Sequence, residues 1–245
     1  MKKVAGVLIV TCALAASGCG LFHRDTGTPT SSTSPSRSQS VSPGPTTSPT
    51  VDIPLSTVVS STRDAGGAAI KVVTSLTGAD AFSGTLAGAL DLDTGSGRGD
   101  FTSANGRTSE RVITGGKTYT SAGTAWVATA QTGRGLLGGD LPSLWRLLST
   151  MSSNPVAGTL RGSIPLAEAL AIAGVDSTTA AQIKSAGQRA DVSVEYNSEG
   201  VVTQLGITWS DGKHSLTVNM TVGDVGQVID VSAPTEVVTG GPESQ

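Results

Sequence analysis

The sequence predicts an α+β fold: a large curved antiparallel sheet (half-barrel) with helices packed on its concave face. Three observations predict it. Alternation of apolar and polar residues from Phe82 to Leu92, and again from Val192 to Val222, has the period of strands with one buried and one wet face. Glycine-rich and Asp-Gly turns break these runs at hairpin spacing. Apolar stripes at helical spacing lie before and between the strand blocks. Strands with one apolar face need a cover, and such helices can supply it.

The chain opens with Met1-Lys2-Lys3, an apolar stretch from Val4 to Ala15, and the small residues Ala16, Ser17 and Gly18 before Cys19. A charged start, a short apolar run and a small-residue site form the anatomy of a signal segment. Small residues fit a narrow peptidase site, and a cysteine thiol at the cut point can take a diacylglycerol. The pattern resembles the bacterial lipobox. The rival readings are an ordinary signal peptide and a transmembrane anchor. An anchor needs about 20 apolar residues, and the polar segment from Cys19 arrives too early for that. The expectation is a lipoprotein signal peptide over 1–18 and a mature chain lipidated at Cys19. It would be held on the extracytoplasmic face of the cell membrane by its lipid anchor. Cys12 lies in the apolar run and would leave with it, so Cys19 would be the sole remaining cysteine and no intrachain disulfide could form.

Residues 19–52 are dominated by Ser, Thr and Pro, as in Thr28-Pro29-Thr30-Ser31-Ser32. Too few apolar residues are present to offset ordering entropy, which predicts a disordered linker reaching roughly 30 Å. Residues 53–238 have the size of one domain, and 239–245 read as a disordered tail. The 245-residue chain has a net charge of −3, and removal of Lys2 and Lys3 makes the rest more acidic. No basic surface for nucleic acid follows from this.

Within the domain, Leu55, Val58, Val59, Thr62, Ala69, Ile70 and Val73 are spaced as a helix from Leu55 to Leu76, softened by Gly66-Gly67. Phe82 to Leu92 then alternates as a strand. Short strands are expected near Gly99–Ser103, Ser109–Thr114, Lys117–Ser121 and Ala125–Ala128. Gly133 to Gly139 reads as a flexible loop. Asp140 is placed to cap a helix with Pro142 in its first turn, and Leu141, Leu144, Trp145, Leu148 and Met151 form its stripe. One strand is expected in Val156–Ser163, followed by short helices from Pro165 to Ala173 and from Thr178 to Ala186. A meander closes the domain, with Val192–Tyr196, Thr203–Trp209, Leu216–Val222 and a final strand at Val228–Val231.

Few motifs carry chemistry. His214 stands beside a hairpin turn and is expected to cap the sheet rim. Gly133-Arg134-Gly135-Leu136-Leu137-Gly138 matches G-x-G-x-x-G, but the dinucleotide fingerprint needs a parallel strand before it and a helix immediately after it. Neither context is expected here, so a loop or lid is the preferred reading. No His or Cys cluster, metal-ligand spacing or nucleophile elbow occurs. No catalytic residue, metal or cofactor is expected, and the chain is not expected to be an enzyme. Only 3% of the residues are aromatic. A broad sheet with small inward residues can leave an apolar interior unfilled, and such an interior binds apolar ligands.

Taken together, Cys19, the Ser/Thr/Pro linker, the opening helix, Lys117-Thr118-Tyr119-Thr120 leading to Trp126, and the closing Val228-Ile229-Asp230-Val231-Ser232-Ala233-Pro234 resemble the LppX/LprA/LprF/LprG family of actinobacterial lipoproteins, with a LolA/LolB-like fold. The resemblance implies a half-barrel over helices with a deep apolar pocket between them. It also implies binding of acylated lipid or glycolipid and its carriage through the cell envelope, with a membrane transporter as a possible loading partner. On this basis the sheet is expected to supply Leu86, Leu90, Leu205, Ile207, Val218 and Met220 to the pocket. The helices are expected to supply Val59, Ile70, Leu144, Trp145, Leu148, Leu170 and Ile183. A monomer is expected. The alternative is an extracytoplasmic binding or regulatory lipoprotein with no lipid cargo, whose core would be filled.

Overall fold

The computed structural model describes residues 52–78, 81–131, 133–156, 158–183 and 187–238. The expected signal segment over 1–18, the expected lipidation site Cys19, the expected linker as far as residue 51 and the expected tail 239–245 lie outside the described residues.

The domain begins with helix α1 (Leu55–Asp64), which buries Leu55, Val58, Val59 and Thr62. It is much shorter than the expected Leu55–Leu76 helix. Ala65 closes it, Gly66 takes a left-handed φ of +79°, and the chain continues as strand β1 (Gly67–Thr77). In β1, Ala68, Ile70, Val72, Thr74 and Leu76 are buried, while Lys71 and Val73 are exposed. This is a period of two, so Ile70 reaches the core from the sheet and not from a helix. β-branched Ile70, Val72, Val73 and Thr74 favour the extended form, and Gly66 supplies the break.

Next come β2 (Phe82–Asp91), β3 (Gly97–Ser103), β4 (Thr108–Thr114), β5 (Lys117–Ala122) and β6 (Ala125–Ala130), a run of antiparallel hairpins. A 3₁₀ turn (Leu136–Gly138) leads into α2 (Leu141–Ser149). Asp140 caps α2 as expected: its carboxylate accepts the Ser143 N–H at 3.3 Å, and Pro142 stands in the first turn. The expected strand within Val156–Ser163 resolves into a hairpin of β7 (Ser153–Val156) and β8 (Thr159–Pro165). Helices α3 (Leu166–Ala173) and α4 (Ser177–Gln182) follow. Gly174 ends α3 in the left-handed conformation at φ +83°. Asp176 caps α4, and hydrogen bonds from Thr179, chiefly its backbone N–H, lower the Asp176 pKa.

The closing meander is β9 (Arg189–Tyr196), β10 (Val202–Ser210) and β11 (Ser215–Gln227). No strand forms at Val228–Val231. Strand β11 instead runs on to Gln227, and the last pairing is made by β12 (Val237–Val238), which lies parallel to Trp126 and Val127 of β6. All twelve strands form one sheet in the order β12-β6-β5-β4-β3-β2-β1-β11-β10-β9-β8-β7. The sheet does not close, so β12 and β7 are its edges. Pro155 in β7 lacks the N–H that a further strand would need there.

The register brings the two ends of the chain's strand pattern to the sheet centre, where β1 pairs with both β2 and β11. Met220 stands opposite both Val72 and Leu205, and Val218 opposite Thr74 and Ile207. These residues alternate inward and form one apolar layer with the buried sides of the helices. Helix α2 packs on α1 and α3, and α3 packs on β8 and β9.

Candidate functional site: an apolar layer and a cleft in its helical cover

All thirteen residues expected to line a lipid pocket are buried side chains of this layer. Leu86, Leu90, Leu205, Ile207, Val218 and Met220 come from the sheet, joined by Ile70 of β1. Val59 comes from α1, Leu144, Trp145 and Leu148 from α2, and Leu170 from α3. Ile183 follows directly after α4. Each is at most 5% exposed, and all belong to one continuous hydrophobic cluster. Trp145 is fixed in it by its indole, whose Nε1–H donates to the backbone oxygen of Leu92. That bond ties α2 to the chain just past the end of β2.

The cover is thin. Its helices span ten, nine, eight and six residues, and they lie over a sheet of twelve strands. Between α2 and α3 its outer side holds a cleft of about 450 Å³. Leu147, Ala171 and Ile172 give the cleft apolar walls, with Asp140, Arg146 and Glu168 among its polar lining. None of the thirteen expected residues lines this cleft. It is formed by the side of α2 that carries Ser143, Arg146, Leu147 and Thr150, and the sequence stripe marks the opposite, core-facing side. A second hollow of about 420 Å³ is lined by Arg161, Gly162, Asp191, Val192, Ser193 and Thr208 of β8, β9 and β10.

The segment 133–139, expected to be a flexible loop, is a fastened part of the cover. Leu136 and Leu137 are buried. Arg111 donates through its Nη1 to the Leu137 carbonyl, Thr118 Oγ1 donates to the Gly138 carbonyl at 2.8 Å, and Gln131 Nε2 donates to the Gly139 carbonyl at 2.7 Å. The Arg111 guanidinium also stacks 3.7 Å from the centroid of the Phe101 ring. Sequence periodicity missed this group because two leucines among four glycines carry no helical or strand period. The only available signal was that Leu136-Leu137 is too apolar a pair for a solvated loop.

Reactive groups are sparse. His214 stands at the sheet rim, as expected, in the turn before β11. Its backbone N–H donates to Asp211 Oδ1 at 2.7 Å, and its Nδ1 lies 3.2 Å from Asp211 Oδ2. Ser210 Oγ bonds the His214 carbonyl and not its ring. The pair closes a turn. Among the described residues no group of three His, Cys, Asp or Glu side chains is placed to hold a metal ion. Among the same residues no helix is long and apolar enough to cross a membrane.

No family model matches the chain, and no curated protein matches it. Solved structures do. LprF from Mycobacterium bovis is similar at a TM-score of 0.43 and 12% identity, covering 74% of this chain and 96% of that one. The Mycobacterium tuberculosis lipoprotein LppX is similar at 0.42 and 14%, covering 73% and 98%. A LolA superfamily protein from Nitrosomonas europaea is similar at 0.32 and 6%, covering 74% and 96%.

Proposed function

We propose that this chain is a membrane-anchored lipoprotein that binds an acylated lipid or glycolipid between its sheet and its helical cover and carries it through the cell envelope. The observation that carries this reading is the one-sided apolar layer. A twelve-stranded sheet presents a continuous aliphatic face, and among the described residues four short helices and a 3₁₀ turn shield it. Acyl chains entering such a layer gain about 0.8 kcal/mol per buried CH₂, so burial alone can hold them without a specific polar contact. The cleft between α2 and α3 lies on the outer side of the cover, and its apolar walls suit the entry of a chain. Acylation at Cys19 and a flexible linker would keep the domain within reach of the membrane that supplies and receives its cargo.

A second reading, an extracytoplasmic regulatory lipoprotein without lipid cargo, draws on the close burial of the thirteen interior residues in this structure. Native mass spectrometry separates the two. The full-length lipoprotein is purified from an actinobacterial membrane, and the mass bound beyond its own acyl anchor is measured. Bound acyl lipid is expected. A protein carrying its anchor alone, and taking up no lipid from loaded vesicles, would favour the second reading.

A further inference from the structure

The buried polar side chains of the described residues are Thr62, Thr74, Thr118, Gln131 and Asp140. Four of them are satisfied. Thr62 donates to the Val58 carbonyl at 2.7 Å and accepts the Val202 N–H at 2.9 Å. Thr118 and Gln131 hold the 3₁₀ segment, and Asp140 caps α2. Thr74 differs. It is fully buried at the centre of the apolar face, and its hydroxyl has no hydrogen-bond partner. A buried, unpaired hydroxyl costs stability, and valine would fill the same space without that cost. A partner that arrives from outside would remove that cost.

On one flank, Thr74 stands beside a sheet position with no side chain. Its cross-strand neighbours are Val218 on one side and Gly84 on the other. Gly84 has no side chain, and Leu137 and Phe101 pack into the space over it. A Cβ built on Gly84 would stand 2.9 Å from Leu137 Cδ1 and 2.8 Å from Phe101 Cε2. Leu137 belongs to the short segment bounded by Gly135 and Gly139, both at positive φ, and it is the part of the cover packed over β1 and β2. A water held there would need two or more polar partners. The residues around that space offer it apolar side chains, and the nearby carbonyls of Leu137 and Gly138 are already engaged.

We propose that Thr74 is a binding subsite for the ester carbonyl of an acyl lipid. Its hydroxyl donates to the carbonyl oxygen in the space over Gly84, from which the lipid displaces the Leu137 side chain. One neutral donor in an aliphatic layer matches one neutral acceptor attached to an aliphatic chain, and a charged head group would be excluded on desolvation. The inference rests on the carrier reading and goes beyond it by naming the chemical group that is recognised.

The test uses the full-length lipoprotein in amphipol and two probes of similar length, methyl palmitate and octadecane. Affinities are measured for the wild type, Thr74→Val and Thr74→Ser. Because the medium is common to all three, its own uptake of the probes cancels in the ratios. Thr74→Val is expected to weaken methyl palmitate by about tenfold, the worth of one buried hydrogen bond, while octadecane binds all three proteins alike. Thr74→Ser restores the hydroxyl and is expected to bind methyl palmitate as the wild type does. If Thr74→Val weakens both probes equally, or neither, the subsite is overturned while the carrier reading stands. If the wild type binds neither probe, the carrier reading fails and the subsite fails with it.

Discussion

Asp211 shows how much local order a single carboxylate can hold at the rim of the sheet. It accepts the backbone N–H groups of His214 and Lys213 at 2.7 and 2.8 Å and faces the His214 ring at 3.2 Å. These bonds, the His214 N–H first, lower its pKa from 3.8 to about 2. A carboxyl whose folded pKa is depressed adds stability that is present above its unfolded pKa and is lost as pH falls through the folded one. The turn is therefore expected to stay closed at pH 4 and to loosen as the pH approaches 2. The His214 amide resonance should titrate with a midpoint near 2, and Asp211→Asn should remove that titration. A midpoint at the ordinary carboxylate value would show that the bonds are absent in solution. In the core, Trp145 makes a different kind of bond. Trp145→Phe keeps most of the apolar bulk but leaves the Leu92 carbonyl without its indole donor, at a cost of about 1–3 kcal/mol. Chemical denaturation of the variant measures it, and a loss well under 1 kcal/mol would mean that the carbonyl finds another partner.

The 3₁₀ segment between β6 and α2 owes its position to glycine at particular places. Gly135 has φ +59°, and a Cβ there would stand 2.4 Å from the Gly174 nitrogen and 2.4 Å from the Ile172 carbonyl oxygen. Gly106 has φ +77° and nothing within 4 Å of the same position. Gly106→Ala should cost only the left-handed backbone penalty of about 1–2 kcal/mol. Gly135→Ala should cost more and should speed amide exchange over Leu136–Gly139, since backbone atoms at the end of α3 must give way. Equal losses in the two variants would deny the close approach. Elements of this kind were the least legible in the sequence. Strands with clean alternation, such as Phe82–Asp91 and Ser215–Val222, could be read directly because one face is buried and the other is wet. Strand β1 was misread because Ala69, Ile70 and Val73 satisfy a helical spacing when counted on from Leu55. The alternation of Ala68, Ile70, Val72, Thr74 and Leu76 is the true signal, and Gly66 is where one period gives way to the other. The two residues of β12 are too short to show any period, and only pairing with β6 makes them a strand.

At the scale of the whole molecule, the buried interior could be read and the cleft in its cover could not. The thirteen residues expected to line a lipid pocket are buried in the apolar layer, since apolar periodicity reports burial, and Ile70 is buried there from a strand and not from the expected helix. The α2–α3 cleft lies on the far sides of the helices, where Arg146 and Glu168 read as solvated surface, and it exists only through the packing of two segments distant in sequence. Thr74 falls between these cases: its parity in β1 places it inward, but nothing in the sequence shows that its hydroxyl lacks a partner. For a carrier built this way, the cover is the expected route for cargo, since the outer face of β1, with exposed Lys71, Val73 and Thr77, lies over a ladder paired on both sides. The cleft then sets the rate of uptake. Ala171 lines it from the exposed side of α3 and takes no part in the buried cluster. Ala171→Trp is expected to narrow the cleft and slow transfer of a fluorescent acyl lipid between vesicles severalfold, while changing stability by no more than about 0.5 kcal/mol. Lys71→Trp places the same bulk on the opposite face of the sheet and should leave the rate unchanged. If Ala171→Trp transfers lipid as fast as the wild type, the chains enter elsewhere along the cover. If Lys71→Trp is the slower variant, the outer face of the sheet carries the traffic.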